Sequence, residues 1–337
     1  MNFGKIKKLA IASALALTVG VAASAAGCSV ATDHPRAKIT FQLIKSETDI
    51  KEYSLEYTLY RNMYPQTVKH FIELSKAGFY DNTIVHDYTS NEWITGLYDY
   101  KGYAEYSDAI ENSGSMGDYY ADNSKEEKYL ALFASSALTA SVYGNTDFKI
   151  GKDGKISYDS DGHPIRVINK EYALPTVMGE FKNNINQEIK NGALTNTSGC
   201  LKMIYYPASS SADASNKKVY VTPTSDQIIQ ADFKYNSATS AFAVQLGTSS
   251  YDYLYYTVFG KVTDNDDLDE LKKAVKDYFE EAYGSTDDKD HYVSTSAEVP
   301  VYGPAANGDG YEKDTVSTSF NAPKTAIVIK SVKITKN

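Results

Sequence analysis

Apolar and polar side chains alternate along two segments between residues 38 and 60. The segments KITFQLI (38–44) and EYSLEYTLY (52–60) carry apolar residues at every second position, the period of strands with one buried face. The polar stretch Glu47 to Ile50 separates them. The pattern therefore predicts two paired strands joined by a turn.

A helical period comes next. Pro65 suits the first turn of a helix, and Gly78 is a typical residue for its end. One face of the predicted helix carries Val68, Phe71, Ile72 and Ser75. The β-rich run FYDNTIVHDYTSNEWITG (79–96) follows. The predicted order is therefore strand, strand, helix, strand.

The C-terminal half repeats both patterns. The segments AFAVQLG (241–247), YYTVFGKV (255–262) and AIVIKSVKITKN (326–337) are predicted strands. An amphipathic helix is predicted over 266–284, with an inward face formed by Leu268, Leu271, Val275 and either Tyr278 or Phe279. Residues 285–322 are polar and glycine-rich, and no element is predicted there.

Two irregular stretches interrupt these elements. In residues 98–175, which are rich in Tyr, Asp, Ser and Gly, 126–144 predicts a helix and 147–168 predicts a hairpin with turns at Asp153-Gly154 and Asp161-Gly162. The motif D-x-D-G at 159–162 lacks the closing glutamate of a calcium loop, because position 168 is Ile, so it indicates a turn. In the second stretch, 207–236, the segment PASSSADASNKK (207–218) predicts a surface loop.

The N-terminus has the pattern of a secretion signal, since three lysines precede an apolar run that starts at Leu9. Ala25-Ala26-Gly27-Cys28 resembles the lipobox of bacterial lipoproteins. We therefore expect a signal peptide at 1–27, a lipidated Cys28 with a tether to residue 38, and an extracytoplasmic protein anchored to the bacterial cell membrane. Ordinary signal cleavage, with Cys28 left as a thiol, is the alternative. The other cysteine, Cys200, then has no disulfide partner within the chain.

Composition excludes several classes of function. The 337 residues carry a formal net charge of −9, which argues against nucleic acid as a partner. Five histidines lack metal-ligand spacing, and the chain has no phosphate loop, dinucleotide fingerprint or G-x-S-x-G, so neither a metal nor a cofactor is expected. The 29 tyrosines, many of them between 98 and 120, are interpreted as a β-rich extracellular surface.

Five segments, in order, resemble the cyclophilin-type peptidyl-prolyl isomerases. They are YRNMYPQTVKHFIELSKAGFYDNTIVH (60–86), VMGEF (177–181), SGCLKM (198–203), NSATSAFAV (236–244) and YTVFGKV (256–262). The resemblance implies a mainly β fold, an eight-stranded antiparallel barrel capped by two helices. Residues 39–337 would then form one domain with insertions at 98–175 and 207–236. It also implies proline-containing peptides or unfolded proteins as partners.

The resemblance places the family's catalytic arginine at Asp87. In relatives that guanidinium donates a hydrogen bond to the proline peptide and helps the amide to twist. Rotation about a peptide bond crosses a barrier of about 18–20 kcal/mol, and an ionised aspartate can accept hydrogen bonds but cannot donate them. The substitution therefore removes the catalytic donor, and His86 beside it is expected to be a buried, hydrogen-bonded packing residue.

Other groove positions differ from the family pattern as well. The family's apolar pair falls on Glu92 and Trp93, and Ala241 and Ala243 replace a glutamine and the phenylalanine that floors the proline pocket. Phe242 aligns with a core residue. The resemblance leaves as groove-binding candidates Trp93, Thr95, Tyr251 and Tyr256.

Three hypotheses follow. The first is an isomerase that assists the folding of extracytoplasmic proteins with weak or lost turnover. The second is a non-catalytic peptide- or protein-binding lipoprotein that uses the insertion at 98–175. The third is a carbohydrate-binding adhesion module that uses exposed tyrosines.

Overall fold

The described part of the chain is mainly β, as predicted. The computed structural model describes residues 34–112, 115–125, 146–148, 157–158, 160, 166–168, 177–178, 180, 194–204, 218–221, 229–232, 237–238, 240–249, 256–304 and 311–337. The strands are β1 (Arg36–Ile44), β2 (Ile50–Leu59), β3 (Thr83–Ile84), β4 (Asp87–Tyr88), β5 (Glu92–Thr95), β6 (Thr146–Phe148), β7 (Arg166–Ile168), β8 (Val177–Met178), β9 (Cys200–Met203), β10 (Lys218–Val221), β11 (Ile229–Asp232), β12 (Ser237–Ala238), β13 (Phe242–Gln245), β14 (Val258–Val262), β15 (Tyr292–Pro304), β16 (Tyr311–Pro323) and β17 (Ala326–Lys336). The helices are α1 (Pro65–Lys76), α2 (Tyr103–Glu111), α3 (Met116–Asp122) and α4 (Asn265–Tyr283).

One antiparallel sheet forms the scaffold. Its strand order is β3-β17-β1-β2-β14-β9-β13-β5-β4, and the two edge strands are halves of one segment, 83–88. In that segment the N–H of Val85 donates to the carbonyl of Ile327 at 2.8 Å, and the N–H of His86 donates to that of Ile94 at 2.9 Å. The segment therefore joins both ends of the sheet, and the nine strands make the eight-stranded barrel that was predicted.

The barrel interior is an aromatic and aliphatic core. Alternation along β1 turns Phe41 inward, and Phe71 of α1 meets Phe242 of β13 edge to face at 5.4 Å between ring centroids. Four buried residues of α4 join this core, namely Leu268, Leu271, Val275 and Phe279. Phe279 is fully buried, so it occupies the inward position that the sequence left open between Tyr278 and Phe279.

The N-terminus of helix α1 is capped by a carboxylate from a distant part of the chain. Its N-cap residue, Tyr64, makes no side-chain capping bond. The Glu180 carboxylate instead accepts the N–H of Gln66 at 3.1 Å and that of Thr67 at 2.8 Å. Burial raises the pKa of Glu180, and the hydrogen bonds from Thr67 and Gln66 oppose that shift. A carboxylate at this end of a helix satisfies free N–H groups and complements the helix dipole.

A second core lies on the outer face of the sheet. It includes Ile84, Tyr98 and Ala243 from the sheet and its neighbouring segment, Tyr120 from α3, and Phe320 from β16. The interpretation of the 98–120 tyrosines as a surface was therefore wrong for most of them, since Tyr98, Tyr106, Tyr119 and Tyr120 are all buried. These rings pack the segments after β5 and the β15–β16 hairpin onto the barrel.

The polar region 285–322, for which no element was predicted, contains most of the paired 13-residue strands β15 and β16. The two ends of the predicted 147–168 hairpin do pair, as β6 and β7, but Phe148 lies opposite Arg166, so the register is centred between the two predicted turns and not on either of them. Outside the described residues lie its two turns, the 126–144 helix, most of the 207–218 loop, and the N-terminal signal with Cys28. Among the described helices, none is both long and apolar enough to cross a membrane.

Candidate functional site

The register of β4 and β5 fixes which side chains share a face with Asp87. Asp87 pairs with Ile94, and Tyr88 pairs with Trp93. Because side chains alternate along a strand, Asp87 and Ile94 lie on the outer face of the barrel, whereas Tyr88 and Trp93 point toward its interior.

The Asp87 carboxylate is engaged by the hairpin. Its Oδ1 accepts the backbone N–H of Asn321 in β16 at 3.0 Å. Burial raises the pKa of Asp87, the N–H of Asn321 opposes that shift, and the charge of Glu92 adds to it. The residue at the expected arginine position therefore fixes a backbone donor of its own chain.

His86 is buried, as expected, but its surroundings are aromatic. The ring centroids of Tyr98 and Phe320 lie 5.0 and 5.2 Å from its own, both edge to face, and the hydroxyl of Tyr120 donates to its backbone carbonyl at 2.9 Å. Neither ring nitrogen has a well-aligned hydrogen-bond partner within the described residues, but the backbone carbonyl of Ile84 is close enough to oppose the lowering of the pKa of the ring. Burial lowers the pKa of His86 to about 3.

The position that floors the proline pocket in relatives is covered. Ala243 pairs with Ile94 on one side and with Lys202 on the other, so this row of side chains lies on the outer face. Ala241 and Ala243 are fully buried and belong to the second core. Phe242 between them points into the barrel core, as expected.

A buried ion pair lies at the end of this row, and the sequence reasoning did not find it. Lys202 Nζ is 2.5 Å from a carboxylate oxygen of Glu92, with the two side chains 6% and 23% exposed. The same ammonium lies 4.7 Å from the ring centroid of Tyr256. A lone lysine in the otherwise apolar run CLKM is the sequence signal that could have indicated it.

The three groove-binding candidates that the structure describes are not gathered on one surface. Trp93 is 1% exposed and meets Phe41 in the barrel interior at 6.1 Å, and the hydroxyl of fully buried Thr95 donates to the carbonyl of Ile84 at 2.8 Å. Tyr256 is half-buried beside Lys202. Tyr251 lies outside the described residues. The role of these four residues in peptide binding stays a prediction.

The described side chains of β4, β5, β9 and β13 therefore offer a carboxylate and an ion pair on the outer face, and no arginine belongs to these four strands. The chain has three arginines, Arg36, Arg61 and Arg166, and none of them belongs to β4, β5, β9 or β13. Within the described residues, no cluster of three or more His, Cys, Asp or Glu side chains could hold a metal ion.

Comparison with known proteins identifies the family. The family profile described as "Cyclophilin type peptidyl-prolyl cis-trans isomerase/CLD" matches residues 43–287. A curated relative, the peptidyl-prolyl cis-trans isomerase cypE of Dictyostelium discoideum, is 41% identical over 58 residues. That match covers 17% of this chain and spans only 36% of the length of the relative.

Two solved structures of a Cryptosporidium parvum cyclophilin type peptidyl-prolyl cis-trans isomerase also match, one of them determined in the presence of the dipeptide Ala-Pro. Both are 14% identical, with TM-scores of 0.33 and 0.32, over 88% and 89% of this chain and 99% of theirs. The family profile matches well over half of the chain. The chain belongs to the cyclophilin-type peptidyl-prolyl cis-trans isomerase family.

Proposed function

We propose that this protein assists the folding of extracytoplasmic proteins by binding their proline-containing or unfolded segments, with weak or no prolyl-isomerase turnover. The proposal includes a signal peptide at 1–27 and membrane attachment through a lipid on Cys28. The observation that carries it is the Asp87 carboxylate, which stands at the expected arginine position and accepts the N–H of Asn321.

Electrostatics and side-chain packing both oppose turnover at this face of the barrel. Catalysis of proline isomerisation requires a group that favours the twisted amide over the planar one, and an ionised carboxylate cannot donate a hydrogen bond to it. In addition, Ala243 lies beneath the second core, to which the hairpin residue Phe320 belongs. A proline ring would have to displace the packed side chains of that core to reach this position.

A non-catalytic partner-binding protein is the second candidate. It is favoured by the firm attachment of the segments after β5. The hydroxyl of Tyr106 in α2 donates to the carbonyl of Pro323 at 2.6 Å, and the ammonium of Lys125 donates to the carbonyl of Asp81 at 2.9 Å. The described residues of the insertion up to Lys125 are thus fixed on the barrel, and they provide a stable surface for a partner. The adhesion hypothesis, which requires exposed tyrosines, has less support, because four of the six tyrosines between positions 98 and 120 are buried.

Exchange NMR on an Ala-Pro peptide tests the proposal. Uncatalysed X-Pro exchange takes tens of seconds or longer, so even weak catalysis is measurable. We expect the protein to shift peptide resonances without accelerating exchange. An active cyclophilin serves as the positive control. The Asp87→Arg variant should also fail to accelerate exchange, because the second core still covers Ala243.

Each outcome has a distinct meaning. Acceleration by the natural protein to a rate comparable with that of the active cyclophilin control would overturn the claim of weak or absent turnover. Acceleration by Asp87→Arg alone would show that the pocket is accessible and that only the donor is missing. If the peptide neither shifts nor exchanges faster, recognition of proline-containing segments is excluded and the insertion becomes the surface to study.

A further inference from the structure

A recess of about 230 Å³ lies at the end of the barrel that α4 covers. One side is formed by Tyr88, Ser90 and Trp93 around the β4–β5 turn, and the other side is formed by α4 and by the segment around Asp288. It is separate from the proline groove of the family, because Tyr88 and Trp93 point to the opposite face of the sheet from Asp87 and Ala243.

The floor of the recess is aromatic and aliphatic. The rings of Tyr88 and Trp93 stack at 6.2 Å with 24° between their planes, and Leu246 and Val275 complete the apolar lining. All four residues are at most 4% exposed. Such a floor favours an apolar or aromatic group, which gains from contact with ring faces and edges.

The rim is charged with both signs. Lys272 is held by the carbonyl of Leu246 at 3.1 Å, and Lys276, one turn further along α4, is 3.7 Å from Glu280. Asp288 is on the facing segment. A rim of this kind can meet the polar backbone of a peptide while an apolar side chain enters below it.

The size of the recess restricts the ligand further. Pockets for whole small molecules usually measure roughly 300–1,000 Å³, and this recess is smaller. Its volume suits a single large side chain better than a complete organic ligand.

We propose that the recess binds one aromatic or large aliphatic side chain of a peptide or unfolded protein segment. This inference rests on the proposed function and deepens it, because it names where a client is held and which residue type is selected. The Trp93 indole contacts the apolar side chain, and the lysines of α4 contact the polar backbone beside it.

Trp93 supplies the measurement, since it is the only tryptophan in the chain. Its fluorescence, excited where tyrosine does not absorb, reports on the recess. The probes are the blocked peptides acetyl-Gly-Ser-X-Ser-Gly-amide with Phe, Leu or Ala as X. We expect the Phe and Leu peptides to change the Trp93 emission and to bind roughly tenfold or more tightly than the Ala peptide, because only they bury a large apolar side chain.

Plugging variants provide the structural test. Thr286 and Ser90 line the recess and are exposed, so Thr286→Phe and Ser90→Phe should fill it without disturbing the core. Lys273→Phe places the same side chain on the exposed side of α4, outside the recess lining. Both plugs should abolish the Trp93 response, whereas Lys273→Phe should leave it unchanged, and circular dichroism checks that every variant is folded.

The results separate this inference from the proposed function. Three results would overturn the proposal that the recess binds an apolar side chain. They are a Trp93 response that persists in both plugging variants, equal binding of the Phe and Ala peptides, and no response to any peptide. If the plugs abolish the response while the Ala-Pro peptide shifts and its exchange rate stay unchanged, the recess and the proline-peptide site are independent. If the Ala-Pro peptide does not bind but the Phe and Leu peptides still change the Trp93 emission, the recess is supported and the proposed binding of proline-containing segments is not.

Discussion

The Asp87 carboxylate accepts the N–H of Asn321 across 234 positions of sequence. The bond connects β4, which closes the barrel, to β16 of the long hairpin, and it lies beside the fully buried His86. A position at which relatives place a donor for substrate thus supplies an acceptor for the protein's own backbone. The substitution is consistent with a structural use of this face.

Asp87→Ala tests this use. The variant leaves a partly buried N–H without its acceptor, which costs about 1–3 kcal/mol, so we expect a lower free energy of unfolding and faster hydrogen exchange at Asn321. Asp87→Asn keeps an acceptor oxygen and is the matched control, with a much smaller effect. Unchanged exchange at Asn321 in Asp87→Ala would show that this bond does not hold the hairpin.

Glu180 gives a prediction for the scaffold. Its two oxygens accept two free N–H groups at the start of α1, and removing such a cap typically costs about 0.5–2 kcal/mol. We expect Glu180→Leu to lower the midpoint of urea unfolding and to speed hydrogen exchange in the first turn of α1. Glu180→Gln, which retains one acceptor, should have a smaller effect. Equal stability of the two variants would contradict the capping role.

Local pattern was sufficient to predict much of the scaffold. Alternation predicted β1 and β2, and helical periodicity with Pro65 and Gly78 predicted α1. The same period predicted α4 and three of its inward residues, but it could not decide between Tyr278 and Phe279, because neighbouring residues on a helix differ by only about 100° in direction.

Features that depend on distant partners were not predictable in this way. Strands β15 and β16 are polar and contain prolines, which disfavour a strand assignment from local sequence, yet they pair with each other along their length. Lys202 and Glu92 come from different strands and meet only through the barrel. The resemblance to the family placed Trp93 at a groove position, but it could not give the direction of the side chain, which the β4–β5 register turns inward.

The Lys202 and Glu92 ion pair makes a double-mutant prediction. Removing one partner of a buried pair costs about 3–5 kcal/mol, whereas an apolar replacement of both is often neutral. Lys202 is the more buried of the two, so Glu92→Leu, which leaves the ammonium without its carboxylate, should destabilise more than Lys202→Met. The double variant should recover most of the loss in urea unfolding. Additive losses would mean that the two side chains do not interact energetically.

His86 predicts a loss of stability in acid. Its pKa is about 3 in the folded protein and about 6.5 in an unfolded chain, so the unfolded state binds the proton first. The contribution of His86 to the free energy of unfolding is therefore fully present above about pH 6.5. It falls as the pH decreases toward 3, by about 1.4 kcal/mol for each pH unit. Urea unfolding at several pH values measures this slope.

The pKa values of Asp87 and Glu180 shift in the direction opposite to that of His86, so their effect on the pH dependence of stability must be separated from the effect of His86. Burial raises the pKa of both carboxyls, so the folded state holds their protons more tightly and they favour folding as the pH falls. His86→Leu should therefore flatten or reverse the pH dependence between 6.5 and 4, whereas Asp87→Asn should steepen the acid loss. If His86→Leu retains the full slope of the natural protein, protonation of His86 is not what destabilises the sheet, α3 and the hairpin in acid.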